Sequence, residues 1–179
     1  MADCCLEKDR DLERLEENGT SWHEIIGFLA ERWKNHPDNI QYLLRLGAQC
    51  WGELVFTNLE MQNGESRLYN ALETLLSGTL EFGLVYHREH AAFLCLYGYF
   101  ISAFPYYFPL TGDYDADLSF GKDMIRKAHA YSPLNVLAAY LASDDPEQKE
   151  KAAVALRREC PALFPGNSEM DRYFQSVWG

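Results

Sequence analysis

The sequence predicts an all-α protein of about eight or nine helices, stacked as antiparallel helical hairpins. Apolar residues recur three and four positions apart through most of its 179 residues, as on the buried face of an amphipathic helix. Helix-start and helix-stop signals, such as Ser21-x-x-Glu24 and Asn18-Gly19, separate these periodic segments. The alternation typical of strands never persists beyond about five residues.

We expect a single domain, residues 1–179, in three parts. Residues 1–18 hold a charged N-terminal helix, residues 21–143 hold the hairpins, and residues 144–179 hold capping helices. The periodic segments and their flanking Pro, Gly, Ser and Asp residues place helices at about 5–17, 22–33, 39–61, 66–86, 89–104, 118–131, 134–142, 146–159 and 168–178.

The charge of the chain narrows the classes of partner. The formal net charge is −11, and no Lys/Arg-rich run occurs. A strongly negative protein repels nucleic acid and anionic membranes, so we predict neither as a partner and favour a basic protein.

Five cysteines with no Cys-x-x-Cys spacing predict reduced thiols. The N-terminal residues show no signal-peptide pattern, so we expect a soluble, cytoplasmic protein. Residues 91–112 carry no charge and are long enough to cross a bilayer. Their prolines, Pro105 and Pro109, and their many aromatic residues favour a buried core helix instead.

A degenerate repeat occurs within the predicted hairpins. The pattern L-x-x-L-G-x-x-C at 43–50 is echoed by L-x-x-Y-G-x-x-I at 94–101, with the glycines 51 positions apart. The pattern resembles the tetratricopeptide repeat (TPR), although the spacing exceeds that family's repeat of about 34 residues. The resemblance implies paired helices that approach closely at Gly47, Gly98 and Gly121. It also implies a groove that binds proteins or peptides.

The best candidate for a binding surface is the aromatic region that follows the uncharged helix, with the acidic cluster beside it. Tyrosine suits interfaces because it buries its ring and keeps its hydroxyl hydrogen-bonded. The alternative is a large core beneath a proline-kinked loop. The candidate partner-binding residues are Tyr97, Phe104, Tyr106, Tyr107, Asp113, Tyr114, Asp115 and Asp117.

The acidic cluster Asp113-x-Asp115-x-Asp117 resembles the start of a calcium loop. Such a loop needs glycine at its sixth position and glutamate at its twelfth, where this chain has Leu118 and Met124. Two interpretations remain. The cluster forms a helix N-terminus with Asp117 as N-cap, or it forms an acidic edge that receives a basic partner.

No catalytic, metal or cofactor site emerges from the motifs. His87 and His90 lie three positions apart, but the spacing of a zinc-binding helix is absent. Neither a Gly-x-Ser-x-Gly nor a Gly-x-Gly sequence occurs. We therefore predict a protein that is not an enzyme and uses no cofactor.

The leading hypothesis is a protein–protein interaction module that binds a basic partner. A compact acidic domain of this size also resembles bacterial immunity proteins, which would make it the inhibitor of a toxin. The alternative is a small-molecule-binding protein or enzyme that uses an aromatic pocket near residues 87–114. Association of the chain with a second copy of itself is a further hypothesis.

Overall fold

The computed structural model describes residues 5–56, 66–108 and 110–179, without the side chains of residues 66–68. This described part is helical and contains no strand, which confirms the predicted all-α class. The helices are α1 Arg10–Glu17, α2 Trp22–Asn35, α3 Ile40–Phe56, α4 Ser66–Tyr86, α5 Ala91–Ala103, α6 Tyr114–Tyr131, α7 Val136–Ala142, α8 Pro146–Leu163 and α9 Glu169–Trp178, with a 3₁₀ turn at Pro105–Tyr107.

The centre of the fold is α5, which other elements surround. From Ala91 to Ile101 every residue is buried except Tyr99, which is half-buried. This explains the uncharged stretch, because a helix enclosed on all sides has no face for charged residues. Within the described ranges, no helix has the length and hydropathy needed to cross a membrane.

The α5 and α6 helices pack closely because both carry glycine at the contact. A Cβ atom added to Gly98 would lie 2.8 Å from the carbonyl oxygen of Gly121, and one added to Gly121 would lie 2.9 Å from the amide nitrogen of Ser102. Gly98 also faces Ile125, whereas Ser102, one turn later on α5, faces Gly121, one turn earlier on α6. The two helices are therefore antiparallel.

Gly47, the other glycine of the repeated pattern, has a different role. A Cβ atom added to Gly47 would overlap the hydroxyl and the ring of Tyr97 on α5. The two glycines that define the pattern therefore serve different contacts. The resemblance to tetratricopeptide repeats stays a prediction.

The first helix begins later than predicted. Residues 5–9 are not helical, and α1 begins at Arg10 after Asp9, whose side chain accepts hydrogen bonds from two amides of the first turn. Cys5 and Leu6 are fully buried, and both of their amides donate to the carbonyl of Leu163 at the end of α8. Carbonyls at a helix C-terminus have no partner within the helix, so this segment satisfies one of them.

Two further boundaries differ from prediction by more than two residues. The sixth helix begins at Tyr114, not near 118, because Asp113 is the N-cap and accepts from the amide of Ala116 at 2.9 Å. The eighth helix continues past Pro161 to Leu163. Burial of Cys160 and Leu163 holds this last turn in place. The predicted end of the third helix at 61 and the turn after it lie outside the described residues.

All nine described helices contribute to one buried apolar cluster. Near its centre, the Trp51 ring stacks on Phe100 with centroids 4.7 Å apart. Leu12 of α1 and Trp178 of α9 belong to the same cluster. The N-terminal charged helix is therefore part of the core.

Candidate functional site: the α4 groove

A groove runs along the outer side of α4. It consists of two adjoining cavities of about 580 and 200 Å³, which share Ser77 and Glu81. We call it the α4 groove. Its lining residues are Asn70, Glu73, Thr74, Ser77, Gly78, Leu80, Glu81, Tyr107, Phe108 and Leu110.

The periodicity of α4 creates the floor of this groove. Leu72, Leu76 and Leu80 recur every fourth residue and are buried in the core. The opposite stripe carries only small and polar residues. Thr74, Ser77 and Gly78 form the middle of this stripe, so the surface of α4 is low there.

The second side of the groove is an apolar wall made of Tyr107, Phe108 and Leu110. Pro105 begins a 3₁₀ turn that redirects the chain after α5. The Tyr107 hydroxyl donates to the carbonyl of Leu54 at 2.6 Å, and burial raises the pKa of this tyrosine well above its usual range. Phe108 is buried, so the wall is anchored in the core.

Large apolar side chains lie exposed in the segment that includes the apolar wall and the start of α6. Tyr106 is 58% exposed, Tyr114 is 58% exposed and Leu110 is 41% exposed. Tyr106 packs against Tyr107, with ring centroids 4.4 Å apart, so neighbouring rings position it while one side faces solvent. Exposed aromatic side chains held in this way are typical of binding surfaces.

The charge around the groove is negative. Its lining residues include Glu73 and Glu81 and neither lysine nor arginine. Asp113 and Asp115, which follow Leu110 in the chain, are exposed at the start of α6. Burial and the nearby Glu73 carboxylate raise the pKa of Tyr69.

The predicted site residues separate into two groups. Tyr97, Tyr107 and Asp117 are buried, and the Asp117 carboxylate accepts from the amide and the hydroxyl of Thr111, each at 2.9 Å. Asp117 therefore closes the loop before α6, and it is not the N-cap that we expected. Tyr97 and Asp117 are therefore enclosed within the protein, whereas Tyr107 also lines the α4 groove.

Phe104, the next predicted residue, is half-buried beneath Tyr106. The predicted residues that face solvent are Tyr106, Asp113, Tyr114 and Asp115. The residues of α4 itself were not predicted as part of a site. Gly78 is a glycine inside a predicted helix, but Gly83 of the same helix is too, so the sequence did not single it out.

A second cleft, of about 220 Å³, lies between residues 7–11 and the helices α2 and α3. The Arg32 guanidinium of this cleft already pairs with two of its carboxylates. Arg32 binds Asp9 at 2.7 Å and Asp11 at 2.5 Å, and it lies over the ring of Phe28. These pairs fasten α1 to α2, so we assign this cleft a structural role.

No group of three or more potential metal ligands occurs in the part of the chain that the structure describes. The ring centroids of His87 and His90 lie 6.4 Å apart. The pKa of His87 is lowered mainly by burial and to a smaller extent by the nearby His90. Burial raises the pKa of the Cys50 and Cys95 thiols to about 12, so neither is an activated nucleophile.

Comparison of the chain with protein-family models, curated proteins and solved structures returns no match.

Proposed function

We propose that this protein is a non-enzymatic interaction module that binds a basic protein through the α4 groove and the exposed tyrosines Tyr106 and Tyr114. One observation carries the proposal: an apolar wall and exposed aromatic rings lie beside carboxylates, with no cation among the groove residues. Burial of the apolar surface supplies affinity, and the carboxylates supply orientation and selectivity.

The charge of the whole chain supports the same partner. A net charge of −11 accelerates encounter with a basic protein and slows encounter with nucleic acid or an anionic membrane. We therefore propose a basic protein as the partner, and we propose neither nucleic acid nor a membrane.

The test uses the full chain as bait in lysate of its source cells, at low and at moderate salt. Glu73→Lys with Glu81→Lys reverses the charge of the groove. The control variant, Glu31→Lys with Glu150→Lys, changes the net charge by the same amount, but at exposed positions of α2 and α8. We expect retention of a basic partner to fall about 10-fold for the groove variant and to stay unchanged for the control. Equal retention by both variants would contradict the proposal.

A narrower version makes the protein an inhibitor that covers the active surface of a basic toxin, as bacterial immunity proteins do. It rests on the net charge and on the exposed tyrosines. Stoichiometric capture of a toxic nuclease, with loss of its activity in the complex, would support this version. Capture of a basic protein that is not toxic would support the interaction module and contradict the narrower proposal of a toxin inhibitor.

The alternative function is small-molecule binding. The larger cavity of the groove, about 580 Å³, falls within the usual volume of ligand sites. This alternative predicts a rise in melting temperature with small molecules and indifference to charge reversal at Glu73 and Glu81. Self-association instead predicts a dimer or larger species in sedimentation.

A further inference from the structure

We infer that the occupant of the α4 groove is a basic amphipathic helix of the partner, lying along α4 with its backbone close to Gly78. This inference rests on the proposed function and deepens it, because it specifies the shape and the charge spacing of the bound segment. Three features of the groove carry it: an open glycine, two carboxylates two helical turns apart, and a floor with no free backbone groups.

Gly78 has no packing role within the described chain. The glycines at 83, 98 and 121 each lie against other helices, so a Cβ atom there would overlap neighbouring atoms. A Cβ atom added to Gly78 meets nothing within 4 Å. Glycine inside a helix costs about 1 kcal/mol relative to alanine. Gly27 of α2 is equally open, but only Gly78 lies in the groove, where the close approach of an external backbone would account for it.

The residues around Gly78 extend the same low surface. Thr74 and Ser77 are small, and with Gly78 they lie between Glu73 and Glu81 on the outer stripe of α4. Helices approach each other to about 8 Å where the side chains at the contact are small. The floor therefore accepts a helix, and the apolar wall of Tyr107, Phe108 and Leu110 offers a place for its apolar side chains.

The two carboxylates fix the charge spacing of that helix. Glu73 and Glu81 are eight residues apart on α4, which corresponds to about 12 Å along the helix axis. Lysine or arginine residues seven or eight positions apart on a second helix are separated by nearly the same distance. One basic residue at each end then pairs with one carboxylate.

An extended peptide suits this groove less well than a helix. A bound strand needs a sheet edge or other free backbone groups to pair with its amides. The floor is the side of a helix, whose interior amides and carbonyls already pair within α4. An extended chain would leave its own amides unpaired against the apolar wall, whereas a helix brings them already paired.

The experiment selects binders from a displayed library of unconstrained random peptides of about 16 residues, long enough for about four helical turns. Selection uses the full chain, with counter-selection on the Gly78→Leu variant. Leucine fills the floor of the groove and changes no charge. Gly27→Leu is the matched control, because Gly27 also lies in open space within a helix, on α2, and does not line the groove. Circular dichroism melts verify that both variants fold.

We expect the enriched peptides to lack internal proline, to carry basic residues seven or eight positions apart, and to become helical when bound. Their affinity should fall at least about 10-fold for Gly78→Leu and stay within about twofold for Gly27→Leu. Enrichment of proline-containing or non-basic peptides would overturn the inference, as would no enrichment over the counter-selected variant.

The same variants separate this inference from the proposed function. If Gly78→Leu keeps the captured basic protein while Glu73→Lys with Glu81→Lys loses it, the surface binds a basic partner and no helix lies in the groove. If neither variant changes capture, the proposed function fails as well.

Discussion

The guanidinium group of Arg45 and the carboxylate of Asp171 lie 2.8 Å apart in the interior of the protein, and they join α3 to α9 across 126 positions of the chain. The same guanidinium donates to the Ser168 hydroxyl at 3.0 Å and to the Glu7 carbonyl. One buried cation therefore connects the segment before α1, the helix α3 and the start of α9. The two ends of the described chain meet at this group.

We predict that Arg45→Ala destabilises the protein by about 3–5 kcal/mol, because it leaves the Asp171 carboxylate buried without its cation. This loss is a large share of the usual stability of about 5–15 kcal/mol for a domain. Urea denaturation measures it. The double variant Arg45→Met with Asp171→Leu removes both charges. It should therefore lose less stability than the sum of the losses for Arg45→Met alone and Asp171→Leu alone. Additive losses would show that the two groups do not interact.

The glycine contact between α5 and α6 predicts opposite effects for two similar substitutions. Gly98→Ala should destabilise the protein by about 1–3 kcal/mol, because the new methyl group overlaps the Gly121 carbonyl oxygen. Gly27→Ala meets open space, so it should stabilise the protein by about 0.5–1 kcal/mol through better helix propensity. Thermal melts of both variants test this. A stabilising Gly98→Ala would contradict the close approach of the two helices.

Glu16 predicts a pH dependence of stability. Its Oε2 atom accepts from the amide of Glu169 at 2.7 Å, and its Oε1 atom is buried with no hydrogen-bond partner among the described residues. Burial raises the pKa of Glu16 from 4.5 to about 7, and the nearby groups with smaller effects are Glu169, Arg172 and Asp171. Between these two values the folded state holds more protons than the unfolded chain. Glu16 therefore makes stability fall as pH rises through this range.

We expect Glu16→Gln to remove this contribution, because glutamine keeps the acceptor for the Glu169 amide and does not ionise. The variant should be more stable than the parent chain at about pH 8.5, and the difference should shrink towards about pH 5. Urea denaturation at several pH values provides the comparison. A difference that does not change with pH would place the pKa of Glu16 near its ordinary value.

The anchor of the apolar wall can be tested with two tyrosines that are adjacent in sequence. Tyr107→Phe removes the donor to the Leu54 carbonyl, so it should destabilise the protein by about 1 kcal/mol. Tyr106→Phe changes a largely exposed side chain, and its stability should differ by less than about 0.5 kcal/mol. Chemical denaturation distinguishes them. Equal effects would mean that the wall is not held through Tyr107.

The helices were predictable because their signals are local. Apolar periodicity located all nine described helices, and the sequence patterns at Ser21 and Ser168 correspond to capping boxes in the structure. The start of α6 was misplaced because two residues four positions apart offered the same signal. Asp113 and Asp117 are both suitable N-caps, and only the position of Thr111, which binds the Asp117 carboxylate, decides between them.

The candidate site was predictable only in part. The sequence identified the aromatic region, yet the uncharged helix α5 has no polar face, so periodicity could not separate buried Tyr97 from exposed Tyr106. Glu73 and Glu81 were indistinguishable among 27 acidic residues until the structure placed them on one side of a groove.

Local signals were sufficient to predict the all-α class, the order of the helices and the burial of the uncharged stretch, because these follow from hydrogen bonds and periodicities within a few residues. The pairing of Arg45 with Asp171, the enclosure of α5 on all sides and the acidic groove beside α4 became visible only in the packed structure. Such contacts join residues distant in the chain. Their formation depends on how whole helices pack, and local sequence patterns do not predict that packing.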